Sequence, residues 1–266
     1  MIIAQDLDML SDICTIAREA GATILRYYKS GDLSVDAKVD GTPVTAADRE
    51  ADAQIRAALE RLDGSIPCIS EESAIPLYET RRDWQRFWLV DPLDGTKEFV
   101  RGTDEFTVNI ALIDGGIPVL GVVYVPPLDV MYCAEAGRGT WKQAGDAAPE
   151  QLFSTFPDPA GELVIAESRS HPSPHMEAFL KDYRVKARVA AGSSLKFCLL
   201  AEGSADIYPR LGRTMEWDVA AGDCVYRHSK RGGAHPVSLR YNSPLLRQDG
   251  FVIGLEPGTF TLPSSS

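Results

Sequence analysis

The sequence predicts two joined lobes: an α+β lobe of helices on a largely antiparallel sheet over residues 1–150, and an α/β lobe over residues 151–266. Three observations carry this. Two segments with helical periodicity open the chain, a run of strand-like segments with a tight turn follows, and beyond a weakly patterned stretch the rhythm becomes an alternation of strand and helix. With 266 residues, 44% of them hydrophobic and 24% charged, the chain can bury a full core. Those proportions exclude a disordered, collagen-like or coiled-coil protein.

From Leu10 to Tyr28, residues Ile13, Ile16, Ala17, Ala20, Ile24 and Tyr27 recur at three- and four-residue steps, the pattern of an amphipathic helix. A second helix begins near Thr45 and runs through Ala51, Ile55, Ala58, Leu59 and Leu62 until Asp63-Gly64 stops it. The period then changes. Phe87 to Val90, Phe106 to Ile113, Ile117 to Val125 and Val130 to Ala134 read as strands, with Asp114-Gly115-Gly116 as a hairpin turn. Gln143 to Gly161, rich in Ala, Gly, Pro and Asp, is the expected lobe boundary. After it come a strand at Leu163 to Ala166, a helix at Pro174 to Lys181, a strand at Val185 to Val189, a helix at Ser194 to Glu202, a strand at Ala205 to Tyr208 and a helix at Asp218 to Arg227.

The longest apolar run, Ile117 to Pro127, is shorter than the roughly 20 residues that cross a bilayer, so no integral membrane segment is expected. The start Met1-Ile2-Ile3-Ala4-Gln5-Asp6 lacks a basic signal-peptide region, and a cytoplasmic protein is the expectation. A net charge of −11 repels polyanions, which argues against a nucleic acid polymer as partner. Cys14, Cys68, Cys133, Cys198 and Cys224 are odd in number and never form a CxxC pair, as suits reduced core thiols.

Carboxylates recur where apolar segments meet turns. Asp91-Pro92-Leu93-Asp94-Gly95-Thr96 follows directly on the apolar strand, Glu71-Glu72 follows Ile66 to Ile69, Asp48 closes Thr45-Ala46-Ala47-Asp48, and Asp218 follows Trp217. Each has an ordinary reading: turn dipeptides, a helix capping box, an acid at a helix start. Together they invite another, since such junctions are where rigid scaffolds present chemistry. Were Glu71, Asp91, Asp94 and Asp218 to converge, four negative charges would share one site at a cost of several kcal/mol per ion, unless cations offset them. Hard oxygen ligands without His or Cys select Mg²⁺ or Mn²⁺ over zinc.

The set Asp48, Glu71-Glu72, Asp91 to Thr96 and Trp217-Asp218-Val219-Ala220-Ala221, in that order, resembles the motif of the inositol monophosphatase superfamily of magnesium-dependent, lithium-sensitive phosphatases. The resemblance implies layers alternating α-β-α-β-α. It implies that Glu71, Asp91, the Leu93 carbonyl, Asp94 and Asp218 hold two Mg²⁺ ions, with a third held weakly, Mn²⁺ as a substitute and Li⁺ as an inhibitor. Asp48 and Thr96 would orient the attacking water, and the amides of Gly95 and Thr96 would meet the phosphoryl oxygens.

Lys97-Glu98-Phe99, Glu105 to Ala111, Ser168-Arg169-Ser170-His171, Gly192-Ser193-Ser194-Leu195-Lys196 and Ala205 to Arg210 are similar to segments of the 3′(2′),5′-bisphosphate nucleotidases within that superfamily. By that resemblance His171, Ser193, Lys196 and Arg210, with Gly95, Thr96 and Asp218, would bind a small nucleotide bisphosphate. Some relatives sit peripherally at the inner membrane, and a monomer or homodimer is expected. The competing readings are an inositol or sugar monophosphatase on the same metal site, and a nucleotide-binding module without turnover.

Overall fold

The computed structural model describes residues 5–30, 35–37, 43–170, 172–260 and 262. Helix α1 (Gln5–Ser30), the antiparallel pair β1 (Val35–Ala37) and β2 (Pro43–Thr45), and helix α2 (Ala46–Asp63) come first. The α2 start is fixed by a capping box, in which Thr45 Oγ1 accepts from the Asp48 amide and Asp48 accepts from the Thr45 amide. The sheet that follows has seven strands in sequence order: β3 (Cys68–Ser70), β4 (Arg86–Asp94), β5 (Thr107–Asp114), β6 (Ile117–Val125), β7 (Val130–Glu135), β8 (Gly139–Ala144) and β9 (Glu150–Leu152). Only β3 and β4 pair in parallel. Helix α3 (Tyr78–Arg81) precedes β4, and α4 (Thr96–Arg101) follows it.

The near-continuous apolar runs of β4 to β6 are explained by cover on both faces. Trp88, Val90, Val108, Ile110 and Val122 pack with α1 and α2. Their neighbours Phe87, Leu89, Ala111, Ile113 and Val123 pack into the second core against α6 (Leu195–Ala201) and α7 (Glu216–Arg227). The β5–β6 turn has Gly115 at φ 57° and Gly116 at φ 77°, which the right-handed strand twist favours and which side chains resist.

In the second half β10 (Glu162–Ser168) pairs in parallel with β11 (Arg184–Ala191) through α5 (Met176–Leu180). Strand β12 (Tyr208–Arg210) pairs with β15 (Phe251–Ile253), and β13 (Thr214–Met215) with β14 (Arg247–Gln248). Leu163, Ile165, Ile207 and Val252 face Met176, Phe179 and Leu180 of α5, whereas Ala166, Tyr208, Phe251 and Ile253 face α6. The order from one side to the other is therefore α1/α2, sheet, α6/α7, strands, α5, the expected α-β-α-β-α layering.

Several boundaries differ from expectation for identifiable reasons. The sheet runs on into the Gln143 to Gly161 stretch, because β9 is an edge strand whose Glu150 and Gln151 are exposed and only Leu152 is buried. The strand expected at Ala205 begins at Tyr208, with Ile207 alone bridging to Ile165 before it. Strand β4 does not stop at Val90 but continues through Asp94. All five cysteines are free, Cys198 and Cys224 fully buried and the other three partly so. No helix among the described residues is long and apolar enough to cross a membrane.

Candidate active site

The ends of β3, β4 and α7 meet in one cleft. In β4, Asp91 opposes Asn109 and Asp94 opposes Thr107, so one extra residue is inserted on the β4 side. Residues three apart on a regular strand point to opposite faces, and this bulge restores Asp91 and Asp94 to the same side. Glu71 follows β3, and its amide donates to Val90 O at 3.1 Å, which sets it beside Asp91. Asp218 lies in the first turn of α7, where the helix dipole favours an anion; its Oδ2 accepts from Thr214 Oγ1 at 2.6 Å and the Met215 amide at 2.9 Å.

Carboxylate oxygens of Glu71, Asp91 and Asp218 all lie within 4.8 Å of one another. Asp94 stands next to this group, accepting from Asn109 Nδ2 at 3.3 Å and Ser194 Oγ at 3.5 Å. The Leu93 carbonyl accepts a long bond from Thr96 Oγ1 (3.4 Å). Thr96 Oγ1 also reaches Asp48 Oδ1 at 3.3 Å, so the capping aspartate and the expected water-orienting pair are one arrangement. Asp48 thus serves the helix start with one oxygen and the cleft with the other.

The electrostatics call for a cation. Burial, reinforced by Glu71, Asp94 and Asp218, pushes the Asp91 carboxyl well above the usual carboxylate range. Asp94 is pushed up to about 7 by burial and the charge of Asp218, and Asp218 to about 6 by burial and Glu71. Burial also raises Asp48, against the hydrogen bonds from Thr45. These groups cannot all stay ionised together without positive charge. The donors are hard oxygens with no imidazole or thiolate among them, a set that fits Mg²⁺ or Mn²⁺.

The cleft encloses about 480 Å³ and is also lined by Gly95, Glu98, Ser193, Lys196 and Arg210. Gly95 takes φ 93°, and a Cβ there would lie 2.4 Å from Ser193 Oγ, so the turn admits only glycine. Ser193 Oγ donates to the carbonyls of Asp94 and Glu105 at 2.8 Å; it ties the two halves of the chain at this turn rather than standing free in the cleft. Lys196 is buried, not a solvated helix-face lysine, with Nζ donating to Ala191 O at 3.1 Å and Ser193 O at 2.5 Å. Burial lowers it to about 8, while Asp94 favours its charge. Arg210 donates to Arg213 O at 2.9 Å and stands where this cleft joins a second one of about 1030 Å³, which Arg169, Arg188, Arg213 and Arg247 border. His171 lies outside the described residues; Ser170 lines the first cleft and Pro172 the second.

Four residues given no role of their own by the sequence reading hold the carboxylates in place. Asp52, one turn after Asp48 on α2, accepts from Ser70 Oγ at 2.5 Å and Ser73 Oγ at 3.0 Å on either side of Glu71. Asn109 holds Asp94, Thr214 holds Asp218, and Ser194 Oγ donates to Asp218 O at 2.7 Å. A signal existed for two of them: Asp52 repeats Asp48 at a helical step, and Thr214 precedes Asp218 by four residues at a helix start.

Residues 6–230 match the model of the inositol monophosphatase family. The 3′(2′),5′-bisphosphate nucleotidase CysQ of Escherichia coli K12 is 44% identical over 228 residues, 85% of this chain and 89% of that protein. The Haemophilus influenzae protein of the same name is 35% identical over 239 residues, 88% and 87% of the two chains. Among solved structures, CysQ from Bacteroides thetaiotaomicron superposes with a TM-score of 0.76 at 36% identity, covering 95% of this chain and 98% of that one. With the layering and the carboxylate cluster in agreement with these matches, the chain belongs to the inositol monophosphatase family.

Proposed function

We propose that the protein is a Mg²⁺-dependent 3′(2′),5′-bisphosphate nucleotidase, which removes the 3′-phosphate of adenosine 3′,5′-bisphosphate to give AMP and phosphate, with 3′-phosphoadenylyl sulfate as a second substrate. The observation that carries the reading beyond a general phosphatase is the placement of Lys196 beside the carboxylates, with Arg210 where their cleft joins a second, larger one. A monophosphate needs only the first cleft. A second phosphate with a nucleoside between needs room and positive charge beyond it, which the −11 surface as a whole does not supply.

Glu71, Asp91, the Leu93 carbonyl, Asp94 and Asp218 would hold two Mg²⁺. Bound there, Mg²⁺ supplies Lewis-acid polarisation of the phosphoryl oxygens and acidifies a water. Thr96, whose hydroxyl donates to Asp48, keeps lone pairs to accept a hydrogen bond from the attacking water and passes its proton toward Asp48 Oδ1. The raised Asp48 carboxyl is suited to take it. Gly95 and Thr96 border the phosphoryl oxygens, and Asn109 and Thr214 keep Asp94 and Asp218 aimed. Lys196 and Arg210 meet the second phosphate, the lysine as a point charge and the arginine through its planar fork.

The test is phosphate release from adenosine 3′,5′-bisphosphate and inositol 1-phosphate side by side, with Mg²⁺, with EDTA and with Li⁺ added. A strong Mg²⁺-dependent preference for the nucleotide, lost in EDTA and reduced by Li⁺, is expected. Preference for the inositol phosphate would retain the metal site and discard the nucleotide pocket.

A further inference from the structure

Two of the converging carboxylates come from segments far apart in sequence, and one buried cluster behind the cleft ties those segments together. Arg81, at the end of α3 in the segment that leaves Glu71, is 2% exposed. Its guanidinium donates to Asn242 Oδ1 at 2.7 Å, Ser243 O at 2.9 Å and Pro244 O at 2.8 Å. Asn242 Nδ2 returns a bond to Arg81 O at 2.7 Å. On the other side Glu216, 0% exposed, accepts from the amides of Asn242 at 2.7 Å and Ser243 at 2.9 Å. The Glu216 amide donates to Leu246 O at 2.8 Å.

The 242–244 backbone is therefore held between a cation on its carbonyls and an anion on its amides. Asn242 at φ 76° and Leu246 at φ 49° sit in the left-handed region, a strain that persists only where surroundings over-determine the conformation. Glu216 and Asp218 are two residues apart at the same helix start, which puts them on opposite sides of α7. The cluster grips the helix from behind while Asp218 faces the cleft. Burying two charges contributes little net stability compared with an apolar core. What it does provide is definition of position.

We propose that Arg81, Asn242 and Glu216 are positioning residues for the metal site, setting the separation of Glu71 and Asp218 and thereby the affinity for the divalent ion. The inference rests on the reading of Glu71 and Asp218 as ligands. It makes metal affinity depend on a residue, Asn242, that contacts neither carboxylate among the hydrogen bonds of the described residues.

The test measures Mn²⁺ binding to the metal-free full chain, without substrate, from the paramagnetic resonance signal of the free ion, together with thermal unfolding of the same samples. Asn242→Gly keeps the left-handed backbone accessible while deleting both side-chain bonds; Arg81→Lys keeps the charge but loses the fork, and serves if the first variant does not fold. Each should weaken Mn²⁺ binding about tenfold or more, the usual effect of losing an outer partner of a metal ligand. Tyr132→Phe, which removes a partly buried bond to Glu202 away from the cleft, should lower Tm with unchanged Mn²⁺ affinity. Wild-type affinity in both latch variants, or an equal loss in Tyr132→Phe, overturns the proposal. Asp218→Asn separates the two levels: if it too binds Mn²⁺ like the wild type, the ligand assignment fails and the inference with it, whereas if it alone loses binding, only the latch is wrong.

Discussion

Replacing Lys196 by Met tests the substrate reading at one atom. The side chain is 4% exposed, donates to two backbone carbonyls, and lies with Nζ 5.4 Å from the centre of the Tyr208 ring. Methionine keeps the unbranched bulk and deletes the charge. A hydrogen bond from an ammonium to phosphate is worth about 1.5–3 kcal/mol, so kcat/KM for adenosine 3′,5′-bisphosphate should fall roughly 10- to 150-fold. Lys196 also favours ionisation of Asp94, and that loss acts on every substrate alike. The informative quantity is therefore the ratio of kcat/KM for the bisphosphate to that for inositol 1-phosphate, measured by phosphate release. The pH profile supplies a second readout. Burial lowers Lys196 to about 8 in the metal-free protein and metal on Asp94 would lower it further, so its charged form is lost as pH rises towards that value. The wild-type bisphosphate profile should decline on the alkaline side, and the Met variant should lack that limb. An equal loss with both substrates, or an alkaline limb that survives the substitution, refutes the assignment.

Asp94→Asn should abolish most turnover at saturating Mg²⁺ while the metal-free protein keeps or raises its Tm, because Asn removes a charge from a crowded buried group; near-normal activity would remove Asp94 from the machinery. The metal-free protein should be stabilised as pH falls from 8 to 6.5. The sign follows from Asp94: its folded value, about 7, lies above the 3.8 of a free carboxyl, so the native state binds a proton in this window that the unfolded state does not. The expected gain from Asp94 is on the order of 0.5–1 kcal/mol, about 2 °C in Tm, absent in excess Mg²⁺ and reduced in Asp94→Asn; a flat metal-free curve contradicts it. Below this window burial of His235, which lowers it to about 4, works the other way. Gly95→Ala places a Cβ against Ser193 Oγ at a left-handed position, costing about 1–2 kcal/mol in the backbone alone, and should raise KM for the bisphosphate by displacing the Ser193 loop that leads into the helix carrying Lys196; an unchanged KM would free that loop from the turn.

What the sequence made legible follows from how local each determinant is. Ile117–Val125 matches its expected bounds because a two-glycine turn precedes it and both faces are covered. The second helix begins where Thr45 and Asp48 predict, since a capping box lies within four residues. The continuation of β4 through Asp94 was not legible: the bulge that aims both aspartates depends on pairing with Thr107 and Asn109, which no local pattern reveals. The burial of Lys196 was hidden for the same reason, because it arises from the packing of α6 against β12. The motif led to the carboxylates that converge in the cleft; the holding roles of Asp52, Asn109, Ser194 and Thr214 depend on partners brought together only by the fold.

The same distinction bears on how the second phosphate is recognised. Several arginines border the larger cleft, but most are already engaged by acids: Arg169 by Glu105 at 2.6 Å, Arg188 by Glu177 at 2.6 Å, Arg247 by Asp249 at 2.8 Å. Their charge is locally cancelled, and exposed pairs of this kind contribute at most about 1 kcal/mol each. Lys196 is different because the acid that favours its charge, Asp94, belongs to the metal cluster. Once divalent ions neutralise that cluster, Asp94 no longer supports the lysine's charge, and the anion that takes its place in keeping it protonated would be the second phosphate itself. On the proposed reading, discrimination between one phosphate and two would depend on the filled metal site, and the Lys196→Met ratio should be read at saturating Mg²⁺, where that coupling is complete.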